Sequence, residues 1–125
     1  MKIMSDNTIG INRGDELLFD YQIYNGNDAY EFAEGDEVGF YLYKKGQYNK
    51  EPVIQAIFTP EAGEDVVEIR ISAEDMDIGT LTNVPVEHWY EITLNDEVTL
   101  GYDNDGPKVL MLYPTGKKIN EPHSI

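Results

Sequence analysis

A chain of 125 residues holds one ordinary domain and can bury a core without staples. With no cysteine it forms neither disulfides nor thiolate metal sites, and no apolar run approaches the roughly 18 residues of a membrane span. Its 24 acids against 9 lysines and arginines leave a net charge of −15, which repels phosphate backbones and anionic membranes and argues against both as partners.

Met1 to Asp6 has no apolar stretch of the kind a signal peptide needs, so no leader is expected. Thr8 to Asn12 reads as a short first strand. It turns through Arg13-Gly14-Asp15 into a longer strand from Glu16 to Tyr24. There Leu17, Phe19, Tyr21 and Ile23 share one parity, and Asp20 and Gln22 take the other. Asn25-Gly26-Asn27-Asp28 is a turn, and Ala29 to Glu34 an extended link ending in a second turn at Gly35-Asp36. Val38, Phe40 and Leu42 alternate with Gly39, Tyr41 and Tyr43 in a third strand. Tyr48 to Pro52 is a loop. Val53 to Thr59 is a fourth strand, apolar on both parities. Val67, Ile69 and Ile71 alternate with Glu68 and Arg70 in a fifth.

Ser72-Ala73-Glu74-Asp75 predicts the one short helical turn. Serine suits an N-cap, acids suit the first turn, and Gly79 stops it early. Val84-Pro85 leads to a sixth strand in which His88, Tyr90, Ile92 and Leu94 oppose Glu87, Trp89, Glu91 and Thr93. Asn95-Asp96 is a hairpin turn, Glu97 to Tyr102 a seventh strand, and Lys108 to Tyr113 the last. Pro114 to Ile125 reads as an irregular tail. Seven or eight short strands with a turn every 8–12 residues predict a single all-β domain over 1–125. Its architecture is an antiparallel β-sandwich with its core over about 7–113.

The order of these signals carries a resemblance. Ile9-Gly10-Ile11 precedes Arg13-Gly14-Asp15-Glu16-Leu17-Leu18-Phe19-Asp20, then Val38-Gly39-Phe40-Tyr41-Leu42-Tyr43-Lys44-Lys45 and Glu51-Pro52-Val53-Ile54-Gln55. Ile69-Arg70-Ile71-Ser72-Ala73-Glu74-Asp75-Met76 and Trp89-Tyr90-Glu91-Ile92-Thr93-Leu94-Asn95-Asp96 follow. Over roughly residues 7–113 this resembles the Ig-like β-sandwich domains of phage and prophage tail baseplates. The closest type is the N-terminal domain of the upper baseplate protein of phages of low-GC Gram-positive bacteria. Ala73 stands where that family usually has proline, and no long coiled or receptor-binding segment follows. The resemblance implies a non-enzymatic, stand-alone attachment module of the virion tail, made in the bacterial cytoplasm. It would bind other baseplate proteins or copies of itself, with no catalytic residues and no cofactor.

Other motifs read as turns. Arg13-Gly14-Asp15 matches an integrin tripeptide, but a strand connection also favours Gly followed by Asp. Asp103-Asn104-Asp105-Gly106 has its glycine too early for an EF-hand and Pro114 where the glutamate belongs. His88 and His123 have no metal spacing, Gly116-Lys117-Lys118 is no phosphate loop, and no metal site is expected. Tyr24, Tyr41, Tyr43 and Trp89 take the parity opposite the core. They are the candidate partner-binding residues, because tyrosine and tryptophan favour interfaces. Two other functions fit the composition: an acidic mimic of nucleic acid that captures a basic protein, and a carbohydrate-binding module using the aromatic face.

Overall fold

The computed structural model describes residues 1–79 and 83–115. Its strands are β1 (Lys2–Ile3), β2 (Ile9–Asn12), β3 (Leu17–Tyr21), β4 (Tyr24–Asn25), β5 (Asp28–Ala29), β6 (Val38–Lys44), β7 (Ile54–Phe58), β8 (Val67–Ile71), β9 (Val86–Leu94), β10 (Glu97–Leu100) and β11 (Lys108–Tyr113). Eight of them have four or more residues, as the alternation predicted, and no helix occurs among the described residues.

One layer is a seven-stranded sheet ordered β1-β2-β11-β9-β6-β7, with β10 also on β9; the other is the β3–β8 pair. A small ribbon, β4–β5, stands apart. The order follows the immunoglobulin plan. Strands β6, β9 and β11 take the C, F and G places, β7 extends that sheet as C′ does, and β3 and β8 pair as B and E. The expectation of a wholly antiparallel fold needs one correction: β2 and β11 run parallel, Ile9 beside Leu110 and Ile11 beside Leu112. The long chain between these two strands imposes no hairpin direction on them, so burying Ile9 and Ile11 decides their pairing.

The core lies between the layers. Leu17, Ile69 and Ile71 of the smaller one meet Val38, Phe40, Leu42, Tyr90, Ile92 and Leu110 of the larger, all essentially inaccessible. Each such side chain contributes about 1.5–3 kcal/mol by burial. Phe40 stacks on Tyr90 with ring centres 5.7 Å apart and meets the edge of Phe19 at 6.4 Å. The Tyr90 hydroxyl donates to the Asn7 carbonyl and ties the chain before β2 to the sheet.

Two core residues come from segments without alternation. Phe32 sits in the predicted link, held by hydrogen bonds of 2.8 Å from its amide to the Glu64 carbonyl and from the Gly63 amide to its own carbonyl. Met76, fully buried, comes from the predicted helical turn. That turn is a single one: the Met76 amide donates to the Ser72 carbonyl at 2.9 Å, and the Asp75 amide to Ser72 Oγ at 3.1 Å, as the cap reading required. Arg13 fastens it down. Its Nε donates to the Ile78 carbonyl at 3.0 Å, and its Nη2 lies 3.1 Å from the Gly79 carbonyl and 2.9 Å from Asp77 Oδ1. The Arg13-Gly14-Asp15 segment is therefore a tight connection, with Gly14 at φ 81° and the arginine committed inward.

The seventh predicted strand stops at Leu100, and β10 joins β9 rather than β11. The predicted tail is described only at Pro114 and Thr115; Gly116, Lys117, Lys118 and His123 lie outside the described residues.

Candidate partner-binding face

Strand alternation gives the larger sheet an outer face, turned away from the core. In β6 it carries Gly39, Tyr41 and Tyr43, and in β9 Glu87, Trp89, Glu91 and Thr93. The antiparallel register puts Tyr43 beside Trp89, Tyr41 beside Glu91 and Gly39 beside Thr93. Three of the four candidate residues thus meet on one face. Tyr24 does not: it lies in the separate β4–β5 ribbon, exposed, with its hydroxyl on Gln22 at 2.9 Å. The long strand of Glu16 to Tyr24 that would have carried its parity onward ends at Tyr21.

Two rings absent from the predicted set complete the face. Tyr48, from the loop after β6, packs 5.2 Å from Tyr43 and 5.4 Å from Trp89. Tyr102, just past β10, lies 5.9 Å from Trp89. Tyr43, Tyr48, Trp89 and Tyr102 therefore form one continuous run of rings. Tyr48 lies in a predicted loop, and Tyr102 closes the predicted seventh strand, which in the structure stops at Leu100; the only available signal was that an aromatic residue stands in each segment. Tyr41 lies flat along its own strand: a Cβ at Gly39 would stand 2.6 Å from the Tyr41 ring and 2.7 Å from Thr93 Oγ1. Glycine there is what lets the ring settle on the sheet.

Exposure within the run is graded, which corrects the expectation for Tyr43. Tyr48 covers it, and only 8% of Tyr43 remains accessible, whereas Tyr102 is 63% exposed. Tyr41, Tyr48 and Trp89 are half-buried. The truncations that probe the face without opening the sheet are thus those of Tyr41 and Tyr102.

Carboxylates are built into the run. The Tyr43 hydroxyl donates to Glu91 Oε1 at 3.2 Å, and Trp89 Nε1 donates to Glu87 Oε2 at 2.8 Å. Glu91 lies over Gly101, where a Cβ would come within 3.3 Å of Glu91 Cβ and 3.6 Å of its Oε2. That second oxygen has no partner among the described residues. The Tyr48 hydroxyl, shut off from water, also has none. Burial, followed by the negative charge of Glu91, pushes both Tyr43 and Tyr48 up to about 12.

The remaining motifs are satisfied internally. Asp103 and Gly106 exchange backbone hydrogen bonds of 3.1 and 2.9 Å. Asp103 Oδ1 accepts the Asp105 amide at 2.9 Å and meets the buried Lys108 Nζ at 2.9 Å, so this carboxylate serves a turn and an ion pair. No cluster of three or more metal-ligating side chains occurs among the described residues. His88 is buried near the start of β9, with Nδ1 3.3 Å from the Val86 carbonyl, and burial lowers its pKa. It borders a groove of about 560 Å³ that Arg13, Lys44, Leu112 and Pro114 also line, but the guanidinium there is already spent on the 72–79 turn.

Comparison with known protein families, curated proteins and solved structures finds no match to this chain.

Proposed function

We propose that the chain is a non-enzymatic attachment module of a phage or prophage tail baseplate, docking another tail protein through the outer face of its larger sheet. The baseplate assignment rests on the resemblance over residues 7–113. The observation that carries the docking is the continuous run of rings from Tyr43 through Tyr48 and Trp89 to Tyr102, on a face that the protein's own core does not use. Large, rigid rings bury much area at small entropic cost, which makes them interface anchors. The same run favours a second reading, a carbohydrate-binding module, since sugars also dock on ring faces. The net charge of −15 favours a third, an acidic mimic that captures a basic protein.

The test needs a tail protein encoded beside this chain, and the absence of any such gene would itself count against the baseplate assignment. Replacing Tyr41→Ala with Tyr102→Ala should weaken that association by about 2 kcal/mol or more, roughly 30-fold. Raising salt to about 0.5 M, where the Debye length is roughly 4–5 Å, should weaken it only a few-fold. Loss of binding in salt with no effect of the tyrosine changes selects the acidic mimic. Salt-insensitive glycan binding that the same changes abolish selects the carbohydrate module.

A further inference from the structure

Resting on the docking reading above, we propose that Glu91 and the rings around it form a receptor for the guanidinium of an arginine on a basic partner protein.

Three observations converge on Glu91. It stands in the middle of the outer face, beside Tyr41 across the β6–β9 register and one residue along the face from Trp89. One of its oxygens is held by Tyr43, which fixes the carboxylate; the other has no partner among the described residues. It touches the aromatic run through the Tyr43 hydroxyl and lies over the Gly101 backbone, on the same face as the rings that continue from Tyr43 through Tyr48 and Trp89 to Tyr102. A fixed carboxylate beside aromatic faces is what a flat, weakly hydrated cation needs. The guanidinium donates to the oxygen in its plane and stacks its own face on a ring. An ammonium keeps its hydration more strongly and cannot stack, so the site should prefer arginine to lysine.

Charge decides against a second copy as the occupant. Another molecule brings a further −15. Of the chain's two arginines, Arg13 is bound to Asp77, and Arg70 already sits between Glu16 and Glu68 at 3.7 and 3.5 Å. A basic protein gains from the same field that repels a copy.

The chain has one tryptophan, and it is in this face, so its indole reports occupancy directly. The probes are capped glycine pentapeptides with a central arginine, lysine or citrulline, titrated by tryptophan fluorescence and by the indole N–H resonance. The arginine peptide should bind saturably, about threefold or more tighter than the lysine peptide, with the neutral citrulline peptide not binding, as the stacking and charge terms require. Glu91→Gln keeps an acceptor for Tyr43 but removes the charge. It should lose about fivefold or more of arginine affinity with an unchanged melting temperature. Equal binding of the arginine and citrulline peptides, or full affinity in a folded Glu91→Gln variant, overturns the proposal. The docking reading is scored separately: if the Tyr41 and Tyr102 changes abolish association with the tail protein while Glu91→Gln leaves it intact, docking stands and the arginine receptor falls.

Discussion

The Tyr43 hydroxyl donates to Glu91 Oε1 at 3.2 Å, tying together the two strands at the middle of the larger sheet. The contact does two things at once. It holds a carboxylate in the centre of an aromatic surface, and it gives a hydrogen-bond partner to a tyrosine that Tyr48 buries on the solvent-side parity. The face is therefore layered: Tyr43 and Tyr48 support it, and Trp89, Tyr41 and Tyr102 present it.

This arrangement predicts an alkaline limit to stability. Tyr43 and Tyr48 are held up to about 12 in the folded chain, by burial first and then by Glu91, against an ordinary value of 10.0. Below about pH 10 these tyrosines are neutral in both states, and their contribution is fully present. Between about 10 and 12 the unfolded chain ionises them while the folded chain resists, so stability falls through that window and levels off above it. Urea melts across this range, with tyrosinate absorbance followed alongside, should show late ionisation coinciding with unfolding. Stability that stays flat to pH 12 would contradict the burial of this pair.

Arg13 predicts a structural defect rather than an adhesion defect. Its guanidinium holds Asp77 and the carbonyls of Ile78 and Gly79, with 14% of the side chain exposed. Arg13→Ala should cost about 3 kcal/mol in urea denaturation, because it removes the cation from beside a partly buried carboxylate and the donor from two carbonyls. Arg13→Lys should recover only part, since an ammonium cannot span the same acceptors. A loss under about 1 kcal/mol for the alanine variant would mean that the turn is held by Met76 burial alone.

Asp36 governs the acid side. Buried beside the β9–β10 turn, it accepts from Asn95 Nδ2 at 2.9 Å, from the Tyr30 hydroxyl at 2.7 Å and from the Ala33 amide at 2.8 Å. The Asn95 bond first, then those from Tyr30 and Ala33, hold its carboxyl below the ordinary 3.8. Its contribution is present above that ordinary value and is lost as pH falls through the lowered one. Asp36→Asn should lower the melting temperature at neutral pH, where an amide N–H must face one of those donors. It should also flatten the fall in melting temperature below the ordinary carboxylate value of 3.8. An unchanged acid limb would assign acid unfolding to other carboxylates.

Removal of divalent metal should do nothing. Asp103 is committed to Lys108 and its own turn, and no other ligand cluster stands among the described residues. EDTA should leave the melting temperature unchanged; a drop of several degrees would reveal a carboxylate site. Far-ultraviolet circular dichroism of the same sample should show strand without helix.

Much of the fold was legible because alternation is a property of the backbone itself. In an extended chain successive side chains must point to opposite sides, so Val67–Ile71 and Lys108–Tyr113 emerge at their predicted bounds. The same rule puts Tyr41, Tyr43 and Trp89 on the outer face, and their neighbourhood follows once β6 and β9 pair. Capping chemistry is equally local, and Ser72 behaves as read. Phe32 and Met76 were not legible as core, because neither lies in a repeating pattern; distant carbonyls and Arg13 bring them in.

By itself, the amino-acid order determined the strands, their parity and the acidic, cysteine-free surface, because each depends on covalent geometry or composition. Only the tertiary structure decided how exposed each ring is, which loops complete the aromatic run, that β2 and β11 lie parallel, and that Tyr24 stands apart. Those depend on which distant segments come to rest against one another. Tyr43 shows the difference: its parity belongs to β6, but its burial belongs to Tyr48, which approaches from a loop with no periodicity.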